Sequence, residues 1–134
     1  GVRLNNKNEL VIPFSNGRGE IRSYQRIPVT GGKDARILKG SEKSGNWFAF
    51  GTPENGRPLL FAEGYATAAS LHEATGHPVL MTIDADNMIN VAKNARKIWT
   101  DSPFVFCADN DHQRKINKGV SSAKKAAAST HGEV

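Results

Sequence analysis

Apolar positions change rhythm partway along the chain. Up to about residue 51 they come in short runs that partly alternate with polar ones; beyond residue 58 they form compact blocks separated by stretches of helical period. In the first part, Glu9-Leu10-Val11-Ile12-Pro13-Phe14 predicts a strand and Ser15-Asn16-Gly17-Arg18-Gly19 a turn. Residues 20–28 predict a second strand, with Ile21, Ser23, Gln25 and Ile27 on one face and Arg22, Tyr24 and Arg26 on the other. After the turn Val29-Thr30-Gly31-Gly32-Lys33-Asp34, residues 35–38 and 46–50 predict shorter strands joined by a polar loop. Residues 1–51 thus make a small antiparallel β-rich lobe whose loops carry much of the positive charge.

Residues 52–58 are turn formers throughout and serve as the linker. Three blocks without polar alternation follow: Leu59-Leu60-Phe61-Ala62, Val79-Leu80-Met81-Thr82-Ile83 and Phe104-Val105-Phe106-Cys107-Ala108. Continuous apolar strands suit a parallel sheet covered on both faces. Between them, residues 65–74 predict a helix stopped by Gly76, and Met88, Val91, Ala92, Ala95 and Trp99 recur at helical spacing in a second. A third helix is expected over 120–129, and a new strand opens at Gly132-Glu133-Val134.

Carboxylates stand where these strands end. Glu63 follows the first, Asp84 and Asp86 the second, Asp109 and Asp111 the third. Parallel sheets gather ligands at their carboxyl ends, so Glu63, Asp109 and Asp111 are expected to share one rim. Crowded carboxylates repel one another unless a cation joins them, and hard oxygen ligands suit magnesium, which also engages phosphate. Gly64 is expected to let the backbone turn sharply and approach a ligand. Asp84-Ala85-Asp86-Asn87 competes as a second DxD pair, but Asp86 or Asn87 fits a helix N-cap, leaving these residues a supporting role. The basic stretch His112-Gln113-Arg114-Lys115-Ile116-Asn117-Lys118-Gly119 offers cations for a triphosphate or template, or is simply a solvated approach to the last helix. His112 adjoins the acidic pair and is a candidate phosphate contact. His72, His77 and His131 lack partners at metal spacing and are read as structural or surface residues.

Two stretches also carry a resemblance. Phe61-Ala62-Glu63-Gly64-Tyr65-Ala66-Thr67-Ala68, followed by Ala108-Asp109-Asn110-Asp111, resembles a Toprim domain, the glutamate-plus-DxD module of bacterial-type primases, type IA and type II topoisomerases and some nucleases. With Ser70-Leu71-His72-Glu73-Ala74-Thr75-Gly76, it is most similar to primases of plasmids, conjugative elements and phages. Ile37-Leu38-Lys39-Gly40-Ser41-Glu42 and Trp47-Phe48-Ala49-Phe50-Gly51 are similar to the lobe that precedes Toprim in those primases. The resemblance covers nearly the whole chain, most strongly residues 58–111. It implies an α/β fold, with a Toprim-like Rossmannoid parallel sheet and flanking helices over 59–134, C-terminally truncated, behind the antiparallel lobe of 1–51. It also implies a metal-dependent nucleotidyltransferase, the core fragment of a DNA primase synthesising short RNA primers. Glu63, Asp109 and Asp111 would be catalytic and would hold Mg2+ or Mn2+; Arg26 and Lys39, with Lys115 and Lys118, would guide template and nucleotides. Its partners would be single-stranded DNA, ribonucleoside triphosphates and the remaining domains of a larger parent protein.

Composition adds limits. The 134 residues are 38% hydrophobic, with a mean hydropathy of -0.48, and no apolar run is long enough to span a bilayer. One cysteine, Cys107, excludes an internal disulfide or a multi-cysteine zinc site and points to the cytoplasm. A net charge of +5 and a pI near 9.6 permit nucleic-acid binding. The competing readings are a Toprim nuclease, a non-catalytic metal- and nucleic-acid-binding module, and a receiver-like phosphoacceptor domain. The last leaves residues 1–51 unexplained.

Overall fold

The structure is a computed structural model that describes residues 1–30, 36–37, 42–109 and 117–134. Strands β1 (Arg3–Leu4), β2 (Glu9–Ser15), β3 (Ile21–Pro28) and β4 (Arg36–Ile37) form an antiparallel sheet in that order. The β2–β3 turn closes through the Asn16 side chain, whose Oδ1 accepts from the backbone N–H groups of Arg18 (2.9 Å) and Glu20 (3.1 Å). Such a side chain mimics a backbone turn. Ile12, Phe14, Ser23 and Gln25 are buried on one face of this sheet.

The second sheet runs β5 (Phe48–Phe50), β7 (Val79–Met81), β6 (Leu59–Ala62), β8 (Phe104–Phe106). β6 is central and parallel to both neighbours, while β5 pairs antiparallel with β7. Residues 46–50 were expected in the first sheet, so β5 is a correction. Its reason is packing on two faces: Ala49 packs on one core cluster, and Phe48 and Phe50 on the other. A strand apolar on both sides belongs in a sheet covered on both sides. Among the described residues, the bridge Ser15–Trp47 alone joins the two sheets edge to edge.

Three layers result. Helices α2 (Ala85–Ile98) and α3 (Lys118–Thr130) cover one face of the mixed sheet, where Phe61, Phe104 and Phe106 meet Met88, Val91, Ala95, Ala123 and Ala126. Helix α1 (Tyr65–Thr75) and the antiparallel sheet cover the other, where Ile12 and Phe14 join Leu60, Ala62, Val79, Met81 and Ala68. Gly76 ends α1 in the left-handed region at φ 72°, as its position in the sequence predicts. Arg96 closes the far end of the α2–α3 layer: its guanidinium donates to the carbonyls of Ser102 (2.7 Å), Trp99 (3.0 Å) and Thr130 (3.0 Å) and lies 3.5 Å over the Phe104 ring. The strand expected at 132–134 is a single parallel bridge from Glu133 to Val105. No described helix is long and apolar enough to cross a membrane.

Candidate functional site

β6, β7 and β8 run parallel, so the residues that follow them emerge at one edge of the sheet. Glu63 follows β6 and is half-buried, with its Oε1 shielded from solvent. Asp109 lies three positions beyond β8 and is exposed. Gly119, in the first turn of α3, brings the two together: a Cβ built there would sit 2.5 Å from the Asp109 carbonyl oxygen and 3.0 Å from Glu63 Oε1. The helix can seat against both residues only because residue 119 has no side chain. Asn117 fixes this turn by capping α3, its Oδ1 accepting from the Val120 N–H at 3.3 Å.

The end of β7 completes the rim. Ile83 adopts a positive φ of 78°, and the Thr82 hydroxyl donates to the Asp84 carbonyl at 3.2 Å. This reversal makes Asp84 the N-cap of α2, its Oδ1 accepting from the Asn87 N–H at 2.8 Å, so the cap expected at Asp86 or Asn87 lies earlier. The other oxygen, Oδ2, receives Lys43 Nζ at 2.5 Å. Asp86 is free of capping duty and bonds Lys118 Nζ through Oδ2 at 2.8 Å.

The charges on this rim reach one another. The hydrogen bond and charge of Lys118 hold the Asp86 carboxyl below the usual carboxylate range, with Lys43 and Lys125 adding and desolvation opposing. Asp86 in turn holds the Lys118 ammonium above its ordinary range, and the charges of Asp84 and Glu63 push the same way. Lys118 is therefore an electrostatic neighbour of both the second acidic pair and Glu63. Burial raises the Cys107 thiol above its ordinary value, in keeping with a core thiol.

Of the other expected residues, Gly64 caps α1 with ordinary extended angles, φ -102° and ψ 161°, and nothing lies within 4 Å of a Cβ built on it. It makes no turn that requires glycine; it leaves open space beside Glu63. Arg26 is on the face of the antiparallel sheet turned away from the mixed sheet, opposite Val11 and Arg36, and not at the rim. Lys39, Asp111, His112 and Lys115 lie outside the described residues. Among those described, no group of three or more His, Cys, Asp or Glu side chains could hold a metal ion. His72 is structural, with Nδ1 2.8 Å from the His77 carbonyl.

Asn87, read from sequence as a cap, has a larger task. It is 2% exposed, accepts from the Gly45 N–H (2.8 Å) and donates to the carbonyls of Thr82 (3.0 Å), Lys43 (3.2 Å) and Asn46 (3.3 Å). Asn90 reaches the Ser44 hydroxyl and Asn94 the Gly45 carbonyl. Asn87, Asn90 and Asn94 recur at i, i+3, i+7, one face of α2, and dock the loop that presents Lys43 to Asp84. That polar row within an amphipathic helix was the available signal.

No protein-family model matches the chain. It is similar to two curated proteins of Escherichia coli, each named DNA primase TraC. One is 33% identical over 119 residues, covering 87% of this chain and 11% of the relative. The other is 31% identical over 129 residues, covering 91% and 9%. The chain thus spans about a tenth of the length of these relatives. Among solved structures, the primase fragment of the bacteriophage T7 primase-helicase protein matches with a TM-score of 0.65 at 12% identity, over 90% of this chain and 48% of that one. A complex of bacteriophage T7 lagging-strand DNA polymerase with primase domains of two gp4 subunits, bound to an RNA/DNA hybrid and dTTP, matches at a TM-score of 0.64 and 15% identity, over 94% and 63%. These structural likenesses establish the fold. The chain is a homologue of a segment of DNA primase TraC, folded like a primase fragment.

Proposed function

We propose that this chain is the nucleotidyl-transfer core of a primase, a Toprim module behind an antiparallel lobe, which joins ribonucleotides on a single-stranded DNA template. The observation that carries this reading is the cradle at Gly119, which seats the first turn of α3 against Glu63 and the backbone of Asp109 at the carboxyl edge of the parallel strands of the mixed sheet. Similarity to segments of two DNA primases supports it.

The donor set fits a hard divalent cation. Glu63 and Asp109 supply carboxylates from neighbouring strand ends, Asp111 adds a third in sequence, and magnesium or manganese prefers such oxygen ligands. Bound there, the ion would lower the pKa of an attacking 3′-hydroxyl and neutralise charge on departing pyrophosphate. The chain's own residues do the positioning. Glu63, with its shielded Oε1, places a carboxyl group at the rim that would accept the proton lost from the hydroxyl. Lys118, exchanging Asp86 for a phosphate oxygen, orients the triphosphate, and Lys43 keeps Asp84 neutralised so that it does not repel that anion. Lys39, Lys115 and His112 are assigned to the same phosphate-rich partner by their place in the sequence.

The test is titration of Mg2+ and Mn2+ into the wild-type chain and the Asp109→Ala/Asp111→Ala variant, followed by NMR, alongside primer synthesis from single-stranded DNA and ribonucleotides. Loss of both metal binding and synthesis in the variant is expected. Identical metal binding by the two proteins would overturn the reading, and cleavage of the DNA would reassign the site to a nuclease.

A further inference from the structure

The two edges of the mixed sheet are finished differently. Beyond β8, Glu133 closes the edge, donating its N–H to the Phe104 carbonyl (2.9 Å) and accepting from the Phe106 N–H (2.8 Å). Beyond β5, Trp47 and Ser15 exchange two such bonds, 2.9 and 3.1 Å, and the pairing stops after that one bridge. The next antiparallel partners would be Ala49 and Pro13, and proline has no N–H to give. Alternation of the ladder turns Ala49 outward. Pro78 and Thr82, flanking β7, bond β6, which puts Leu80 on that side and Val79 and Met81 towards β5. Their partners Phe50 and Phe48 therefore bond β7, and the N–H and C=O of Ala49 between them point off the sheet. A bare strand edge of this kind templates the pairing of another chain.

Where the two strands part, a groove of about 450 Å³ opens, with Ala49 and Pro13 in its walls and Ile21, Trp47, Pro53 and Trp99 around them. All six are apolar, and Ile21 is 68% exposed. Asn16 and Gly17 line this groove and also a neighbouring hollow of about 520 Å³, which Arg18, Lys97 and Ile98 border. Among the described residues neither cation has an acidic partner within ion-pair distance. Glu20, the acid of the same turn, is held by Asn16 Nδ2 at 3.2 Å. An open backbone donor and acceptor beside an apolar groove matches an extended peptide, which brings alternating amides and carbonyls of its own. Two unpaired cations at the end of the groove suit carboxylates on that peptide. Nucleic acid fits less well, because it has no strand to pair with Ala49. The indole of Trp47, 6% exposed, packs on Trp99 at 5.9 Å rather than standing free as a stacking platform.

We propose that the seam between the two sheets docks an extended segment of a partner protein. The segment adds a strand to β5 at Ala49, seats an apolar side chain in the groove and places carboxylates on Arg18 and Lys97. This surface takes no part in the chemistry assigned to the carboxylate rim, needs no metal, and goes beyond the function proposed above.

The experiment measures fluorescence anisotropy of a labelled synthetic peptide with the whole 134-residue chain at low salt. The peptide alternates valine and threonine around one phenylalanine and ends in a run of aspartates. Arg18→Glu/Lys97→Glu, with both side chains at the surface, should keep its melting temperature and weaken binding at least about tenfold. The same variant should instead bind the peptide that carries lysines in place of the aspartates. Methylating alternate backbone nitrogens of the peptide removes the donors of its pairing edge and should also weaken binding at least about tenfold. In the complex, hydrogen exchange at the Ala49 amide should slow at least about tenfold. Absence of saturable binding up to about 1 mM peptide, equal affinity of the double variant for both peptides, or unchanged exchange at Ala49 would overturn the proposal. An oligothymidylate that displaces the peptide and is lost with Arg18 and Lys97 would overturn it in favour of nucleic acid. A dimer of the chain that dissociates in Ile21→Ser would overturn it in favour of a second copy. Asp109→Ala/Asp111→Ala should bind the peptide as wild type does, so failure of the metal reading leaves the expected result unchanged.

Discussion

Gly119 sets the spacing of the candidate site by lacking an atom. Its φ is not in the left-handed region, so its value is space: the Asp109 carbonyl and the Glu63 carboxylate occupy the volume that a Cβ would fill. Gly119→Ala should cost about 1–3 kcal/mol in urea unfolding, the usual penalty for overpacking, and should weaken Mn2+ binding as the two acidic residues are wedged apart. Gly132→Ala is the matched comparison. Its Cβ would meet the Phe106 ring at 2.6 Å and the Phe104 carbonyl at 3.0 Å, away from the rim. It should cost similar stability and leave Mn2+ affinity unchanged; equal loss of affinity in both variants would mean that Gly119 acts only through folding. Glu63, Asp109 and Asp111 were legible as candidates because carboxylates follow apolar blocks. The role of Gly119 was not, since a glycine in a basic, polar stretch is indistinguishable in sequence from any loop glycine.

At the scale of elements, α2 does two jobs with two faces. Its apolar face, Met88, Val91, Ala92 and Ala95, was readable from helical period and is buried as that period requires. Its asparagine face was overlooked because asparagine at a helix start satisfies the capping rule so readily. Asp84, Asp86 and Asn87 are all good capping residues; the choice was made by the reversal at Ile83 and by Lys43, which arrives from 41 positions away. Asn87→Ala should cost at least about 2 kcal/mol, because buried polar groups on both sides lose their partners. Asn90→Ala, exposed, should stay within about 0.5 kcal/mol. Hydrogen exchange at the Gly45 amide reads the same event locally: faster exchange is expected in Asn87→Ala only, and unchanged protection would refute the docking role of this side chain.

For the whole molecule, the antiparallel sheet and the mixed sheet share one core cluster through Ile12 and Phe14. Phe14→Ala should therefore cost about 3–5 kcal/mol and lower the transitions of both sheets together. Far-ultraviolet circular dichroism and the fluorescence of Trp47 and Trp99, whose rings lie 5.9 Å apart, should report one midpoint. Two separated transitions would mean that the lobes fold independently. What the sequence alone determined here is what short-range physics decides: blocks of apolar residues for covered strands, helical spacing, the Gly76 stop, and carboxylates at strand ends. The tertiary structure decided what depends on residues far apart in the chain. It moved β5 into the mixed sheet because both its faces are apolar, turned Arg26 onto a face with Arg3 and Arg36, and seated a glycine of α3 against residues that follow two different strands. Periodicity records which side of an element is apolar; only packing chooses which other element that side, or its polar reverse, will meet.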